Sequence, residues 1–259
     1  MNKRLERKKA EAERNRSNRK GLNRKMLLSV VICMAIMVLG GTATRLYGGD
    51  RPSAPVEEVF PPVDDLRVEG EDWRLLIVSP ASLLDRSFRV SLYEVEGKKV
   101  DVRMASALME MLDAARADGV SLTLCSTYRS VSTQRRLYER KLNYYKNLGY
   151  NEEKCRELAG EYVQPPGASE HHTGLAVDFF SDGDASLTET FAKTPAYAWF
   201  TKHAAEYGFV ERYPKGKEEI TGIGWEPWHY RYVGKTHAEA MQTAGLCLEE
   251  YVAQRETAQ

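Results

Sequence analysis

An α+β fold is what residues 73–259 predict, and three features carry the prediction. Short β-type stretches and longer helical ones succeed each other without the regular strand–helix–strand alternation of a doubly wound sheet. Glycines (Gly119, Gly149, Gly208) close the helical stretches, where a left-handed residue ends a helix at little cost. No segment repeats.

Residues 73–78 and 88–95 have β-type composition. Asp101 is placed to cap a helix in which Val102, Met104, Leu108, Met111, Leu112 and Ala115 recur at helical spacing, ending at Gly119. Residues 121–126 (SLTLCS) alternate as a strand does. Residues 132 to about 148 read as a second helix and 151 to about 162 as a third, ahead of Pro165-Pro166-Gly167. Residues 175–180 are apolar with one acid inside and read as a strand. A helix over 197–207, a strand over 229–233 and a closing helix over 236–253 complete the domain.

The formal net charge of the 259-residue chain is zero, but it is unevenly spread. Residues 1–25 hold eleven Lys/Arg against three Asp/Glu, a net of +8 (11 − 3), so the remainder carries −8 (26 − 34). A basic arm alone would suit nucleic acid, but the adjoining segment points elsewhere. Residues 26–43 (MLLSVVICMAIMVLGGTA) are eighteen residues without a charge, near the shortest run that crosses a hydrocarbon core of ~30 Å. Their positive flank keeps the N-terminus cytoplasmic, and the run exceeds the apolar region of an ordinary signal peptide. The expectation is a single-pass anchor in the cell membrane, no nucleic-acid partner, a Pro- and acid-rich linker over 44–72, and an extracytoplasmic domain over 73–259. Cys33 lies in the apolar run, while Cys125, Cys155 and Cys247 lie beyond it without CxxC spacing. A thiolate metal site is thereby disfavoured, and no bridge is assigned.

The chemistry concentrates in two segments. The first is Ser169-Glu170-His171-His172-Thr173-Gly174-Leu175-Ala176-Val177-Asp178, and the second is Glu226-Pro227-Trp228-His229. Two imidazoles, a carboxylate ligand and a spare carboxylate are the inventory of a catalytic zinc site with its general base. In one extended strand, His171 and Asp178 would lie about 23 Å apart and could share no metal. Gly174 resolves this, because it tolerates the positive φ that reverses the chain. An acid inside Leu-Ala-Val-Asp-Phe-Phe is seldom buried unless it is paired or binds a metal; singly, Asp178 could equally cap a turn or pair with an arginine. His229 supplies the third ligand. Glu226 stays off the metal, since a fourth protein ligand would close the position that water needs. Its role is then to move protons. Trp228 either walls the site or packs in the core. His172 competes with His171, and in extended backbone only one of the two can face the metal. His203 and His237 sit in helical stretches without partner spacing and read as surface or packing residues. Arg129, in a strand-to-helix turn, suits an oxyanion or a substrate carboxylate, or else a structural ion pair.

Ser-x-His-x-x-Gly-x-Ala-x-Asp at 169–178 with Glu-x-Trp-His at 226–229 resembles the VanY-type D-alanyl-D-alanine carboxypeptidases. These are zinc peptidases of the bacterial cell wall, related to D,D-dipeptidases, L,D-carboxypeptidases and the hedgehog-like fold. The likeness runs from about Trp73 to about Gly245 and includes Tyr-Arg-Ser-x-x-x-Gln at 128–134; it departs at Thr127, where a Gly is common. The resemblance implies a small antiparallel sheet with flanking helices around one Zn2+. It makes His171, Asp178 and His229 the ligands, so His171 rather than His172, and it makes Glu226 the base and Arg129 a stabiliser of substrate or transition state. Ser169, Ser130 and Gln134, with Trp228, would line the pocket for the terminal D-residue of a peptidoglycan stem peptide or precursor. An L,D-carboxypeptidase or an endopeptidase would share these motifs. A non-catalytic wall-binding module would lack a ligand or the base, and neither is missing.

Overall fold

The computed structural model describes residues 73–85, 88–160, 163–182 and 185–257. The basic arm (1–25), the apolar run (26–43) and the linker (44–72) lie outside the described residues. Among the described residues no helix is long and apolar enough to cross a membrane.

A hairpin opens the domain. Strands β1 (Leu92–Val95) and β2 (Lys98–Asp101) pair antiparallel through Glu96 and Gly97. Both turn residues have positive φ (48° and 76°), as a tight two-residue hairpin turn requires. Helix α1 (Val102–Ala117) starts where the Asp101 side chain accepts the Arg103 N–H. It buries Met104, Ala105, Leu108, Met111, Leu112 and Ala115, the stripe that the periodicity predicts. Strand β3 (Leu122–Ser126) leads to helix α2 (Val131–Asn147), and helix α3 (Glu152–Gly160) folds back against α2 around Tyr145, Cys155 and Ala159.

The main sheet has four antiparallel strands in the order β3–β4–β6–β5, with β4 at Ala176–Ser181, β5 at Phe209–Glu211 and β6 at His229–Tyr232. Its register places Asp178 opposite His229, Val177 opposite Tyr230 and Ala176 opposite Arg231. Val177, Phe179 and Tyr230 join α1 in the main core with Phe200 of helix α4 (Pro195–His203). The short helix α5 (Glu218–Thr221) and the terminal helices α6 (Lys235–Ala244) and α7 (Leu248–Thr257) complete the domain. A second core cluster joins Val210, Val233, Ala238, Met241 and Leu248.

Several expectations need correction. Residues 73–78 are not a strand: Trp73–Leu75 form a 3-10 turn, and the Arg74 and Leu76 carbonyls accept from the Arg231 guanidinium rather than from a sheet neighbour. The strand expected over 88–95 narrows to β1. The helix over 197–207 tightens into a 3-10 turn at Ala204–Tyr207, and the closing helix breaks into two at Gly245 (φ 66°). Strands β2 and β5 and helix α5 are too short to show a period in the sequence. Cys125, Cys155 and Cys247 are free thiols. Burial pushes Cys125 up to about 12, which removes it as a thiolate.

Candidate metal centre

Cross-strand pairing accounts for the first contact. Directly opposed residues on antiparallel strands hold their Cβ atoms about 5 Å apart on one face, so β4 and β6 bring Asp178 and His229 together. His171 arrives from a 3-10 turn, Glu170–Thr173, that ends at Gly174 in the left-handed region (φ 74°). A side chain there is barred twice: by φ, and because a Cβ would lie 2.8 Å from the Asp101 nitrogen. That N–H donates to the Gly174 carbonyl at 2.9 Å, so the close approach is itself a bond.

The same turn separates the adjacent histidines. Successive residues of a 3-10 turn point about a third of a circle apart, a different reason from the alternation of extended backbone. His172 faces away from the site. Its Nδ1 donates to the Arg129 carbonyl (2.6 Å) and its Nε2 accepts the Gly167 N–H (3.2 Å), which makes it a clip for the loop. His237 is buried with Nδ1 against the Tyr251 hydroxyl, and His203 pairs with Glu206 near the surface.

One ligand atom from each of His171, Asp178 and His229 lies within 4.8 Å of the others, and all three side chains are buried. His171 Nδ1 donates to the Thr127 carbonyl (2.8 Å), which leaves its Nε2 lone pair 3.2 Å from Asp178 Oδ2. Two acceptors this close call for a cation between them. His229 Nδ1 lies 2.8 Å from Asp178 Oδ1. Two imidazole nitrogens and a carboxylate, converging and buried, fit a zinc ion. Burial pushes His171 below its ordinary value. Burial also works against the Asp178 carboxylate, but His171 and His229 beside it hold it well below the usual range.

Glu226 opens a tight turn that Pro227 favours at its second position, closed by the His229 N–H to the Glu226 carbonyl at 3.0 Å. The turn sets Glu226 Oε2 3.7 Å from His229 Nδ1, outside the three-residue cluster. Burial, with help from Asp178, pushes Glu226 up to about 7, where a carboxylate both takes and gives a proton near neutrality.

Arg129 follows a β-bulge between Leu124 and Ser126 that re-aims the chain end of β3. Its guanidinium donates to Ser126 Oγ (2.7 Å) and to Gln134 Oε1 (2.8 Å), and Gln134 in turn donates to the Gln164 carbonyl (2.6 Å). Gln134 is buried. Arg129, Gln134, Ser169, Glu226 and Trp228 line one cavity of about 590 Å³ together with the three clustered residues. Ser130 does not line it: its hydroxyl accepts the Thr133 N–H as the N-cap of α2.

Three contributors escaped sequence reasoning. Thr127 acts through its carbonyl, which no side-chain motif reveals. Tyr213 packs its ring 5.0 Å from that of His229 and accepts the Glu226 N–H on its carbonyl. Glu170 stands in the first segment, yet only the fold shows it buried between Arg212 and Arg231. The one available signal was spacing: His229 and Arg231 are two apart on a strand and share a face.

The chain is similar to known proteins over this same region. The family model for VanY, D-alanyl-D-alanine carboxypeptidase, matches residues 97–235. A D-alanyl-D-alanine carboxypeptidase of Enterococcus faecalis is 38% identical over 185 residues, covering 71% of this chain and 67% of that protein. Among solved structures, a mutant of the vancomycin-resistance D,D-pentapeptidase VanY from a VanB-type cassette, in complex with Zn(II), is 39% identical with a TM-score of 0.62. The match covers 70% of this chain and 99% of that one. VanYB in complex with D-alanine-D-alanine is 38% identical with a TM-score of 0.63, covering 70% and 98%.

Proposed function

The chain belongs to the VanY family of D-alanyl-D-alanine carboxypeptidases, which makes it a zinc metallo-carboxypeptidase, and we propose that it removes the C-terminal D-alanine of peptidoglycan stem peptides. The observation that carries this reading is the pairing of the buried His171–Asp178–His229 cluster with a proton-accepting carboxylate, Glu226, beside it.

His171 Nε2, an Asp178 oxygen and His229 Nδ1 would hold zinc, whose chemistry when bound is Lewis acidity toward the scissile carbonyl and toward water. Glu226 takes a proton from the attacking water and delivers it to the leaving amine of D-alanine. The Arg129 guanidinium, fixed by Ser126 and Gln134, stabilises the negative charge that develops on the scissile oxygen. Ser169 and Trp228 bound the space for the terminal residue. Residues 26–43 anchor the enzyme as a single-pass span with residues 1–25 cytoplasmic, so the domain meets its peptide outside the membrane.

The test uses the full-length protein with muropeptide pentapeptide and tetrapeptide, followed by mass analysis of the released residue. Loss of one D-alanine from the pentapeptide is expected, abolished by chelator and restored by zinc. Release from the tetrapeptide alone would make the enzyme an L,D-carboxypeptidase, and release from neither would sink the assignment.

A further inference from the structure

Behind His229 lie four charged side chains that the reaction does not use. Glu170 comes from the 3-10 turn before Gly174, Arg212 directly follows β5, Arg231 lies on β6 and Glu249 on α7. Arg212 Nε donates to Glu170 Oε1 at 2.7 Å, and Arg231 Nη1 stands 2.9 Å from the same oxygen. The far side of the Arg212 guanidinium grips both oxygens of Glu249. Arg231 is tied further by its other nitrogens to the Arg74, Leu76 and Tyr232 carbonyls. The side chains of Glu170, Arg212 and Arg231 are at most 1% exposed.

Such a set is not explained by stability. Desolvating four charges costs about what their attraction returns, and apolar replacements of buried ion pairs are often neutral or stabilising. The arrangement leaves atoms uncommitted: Arg231 Nη1, although ion-paired with Glu170 Oε1, makes no hydrogen bond among the described residues. Oε1 of Glu170 accepts from Arg212 and is ion-paired with Arg231, while Oε2 makes no hydrogen bond among the described residues. It faces His229 Nε2 at 3.9 Å, and that nitrogen is equally without a partner. The gap is about 1 Å beyond hydrogen-bond length.

We propose that Glu170 is a positioning residue for His229: held by Arg212 and Arg231, it accepts the Nε2 hydrogen and so keeps the Nδ1 lone pair aimed at the zinc site. A neutral imidazole has one lone pair. For Nδ1 to present it toward Asp178, the hydrogen must sit on Nε2, and Glu170 Oε2 is the acceptor that faces it. Thr127 fixes His171 in the opposite tautomer, with Nδ1 protonated and Nε2 free. The two imidazoles thus offer different nitrogens, each selected by its own outer partner. The proposal rests on the reading that His229 ligates zinc.

Glu170→Gln in the full-length protein tests it. The glutamine keeps the shape but has one oxygen, which Arg212 and Arg231 claim, so its NH2 turns to His229 and moves the ring hydrogen onto Nδ1. Zinc affinity measured by chelator competition on the folded fraction should fall about 10- to 100-fold. An unchanged affinity overturns the proposal, because a merely structural Glu170 would lower the melting temperature of the zinc-free protein without weakening metal binding by what remains folded. Imidazole 15N NMR of the unaltered protein gives a second reading, whatever the variant does. The zinc-loaded protein should show His229 bound through Nδ1 with hydrogen on Nε2, and binding through Nε2 would overturn the proposal alone. No zinc-induced shift on either His229 nitrogen would overturn the metal site and the proposal together.

Discussion

Strands β4 and β6 present opposite chemistries on their two faces. One face sends Val177, Phe179 and Tyr230 into a core with Met104, Leu108 and Phe200, where Phe200 stacks on Tyr230 with centroids 4.1 Å apart. The other face carries Asp178, His229 and Arg231, all buried like the apolar set. Burial alone therefore does not distinguish the faces; what burial demands of each does. On the apolar face it asks for volume, and a cavity is penalised in proportion to its size. On the polar face it asks for partners, and losing one leaves a charge stranded. Damage to the first should appear as lost stability with the chemistry intact. Damage to the second should appear as lost metal or lost turnover in a protein that still folds.

Glu226→Gln should break the comparison most sharply if the two faces are not separable. The amide cannot take a proton, so turnover is expected to fall about 10²- to 10⁴-fold, with zinc affinity and melting temperature within error of the parent. Near-normal turnover would remove Glu226 from proton transfer. On the opposite face, Phe179→Ala deletes a fully buried ring that packs on both Phe200 and Tyr230. About 3–5 kcal/mol of stability should be lost in denaturant unfolding, while turnover per folded molecule changes little. A loss of zinc affinity in the folded fraction of Phe179→Ala would show that the neighbouring Asp178 depends on the core beneath it.

A smaller effect is expected where the polar face relies on one neutral amide. Gln134 is buried and spends its oxygen on Arg129 and its nitrogen on the Gln164 carbonyl. Gln134→Ala leaves the guanidinium with Ser126 alone. A hydrogen bond to a charged group is worth about 1.5–3 kcal/mol, so kcat/KM should drop roughly 10- to 150-fold. Zinc affinity should not move, because the Gln134 side chain hydrogen-bonds Arg129 and the Gln164 carbonyl rather than any of the three clustered residues. A matching loss of zinc would place Gln134 in the support of the metal rather than of Arg129.

How much of the fold and the site was legible in the sequence depends on the range of the interactions. Asp101 and Gly174 could be read because a cap and a left-handed turn are decided within a few residues. Asp178 and His229 could be read because an acid and an imidazole in strand-like, apolar surroundings need a reason to be there. Their opposition depends on register, which the fold had to supply. Glu170, Arg212 and Arg231 were not legible, since nothing local distinguishes a buried arginine from a solvated one. The 73–78 stretch misled for a similar reason: its strand-like composition is spent on the carbonyl acceptors of Arg231, a partner 155 to 157 residues away. Motif residues announce the chemistry, and the outer partners that orient them emerge only from tertiary contact.

Ser130 offers the finest test, because it stands beside the polar face yet should behave as a structural residue. The family motif and its neighbour Arg129 make it a pocket residue by sequence. In the fold its hydroxyl accepts the Thr133 N–H at 3.2 Å and meets the Ser132 and Thr133 hydroxyls at 3.0 Å, with backbone angles of −65° and 152° that suit an N-cap. Ser130→Ala should therefore cost about 1 kcal/mol of stability and leave KM for the pentapeptide unchanged. Ser130→Asp, an equally good cap, should recover most of that loss. If both variants instead raised KM several-fold at unaltered stability, Ser130 would belong to the substrate site after all. The boundary between the two kinds of face would then run through the first turn of α2.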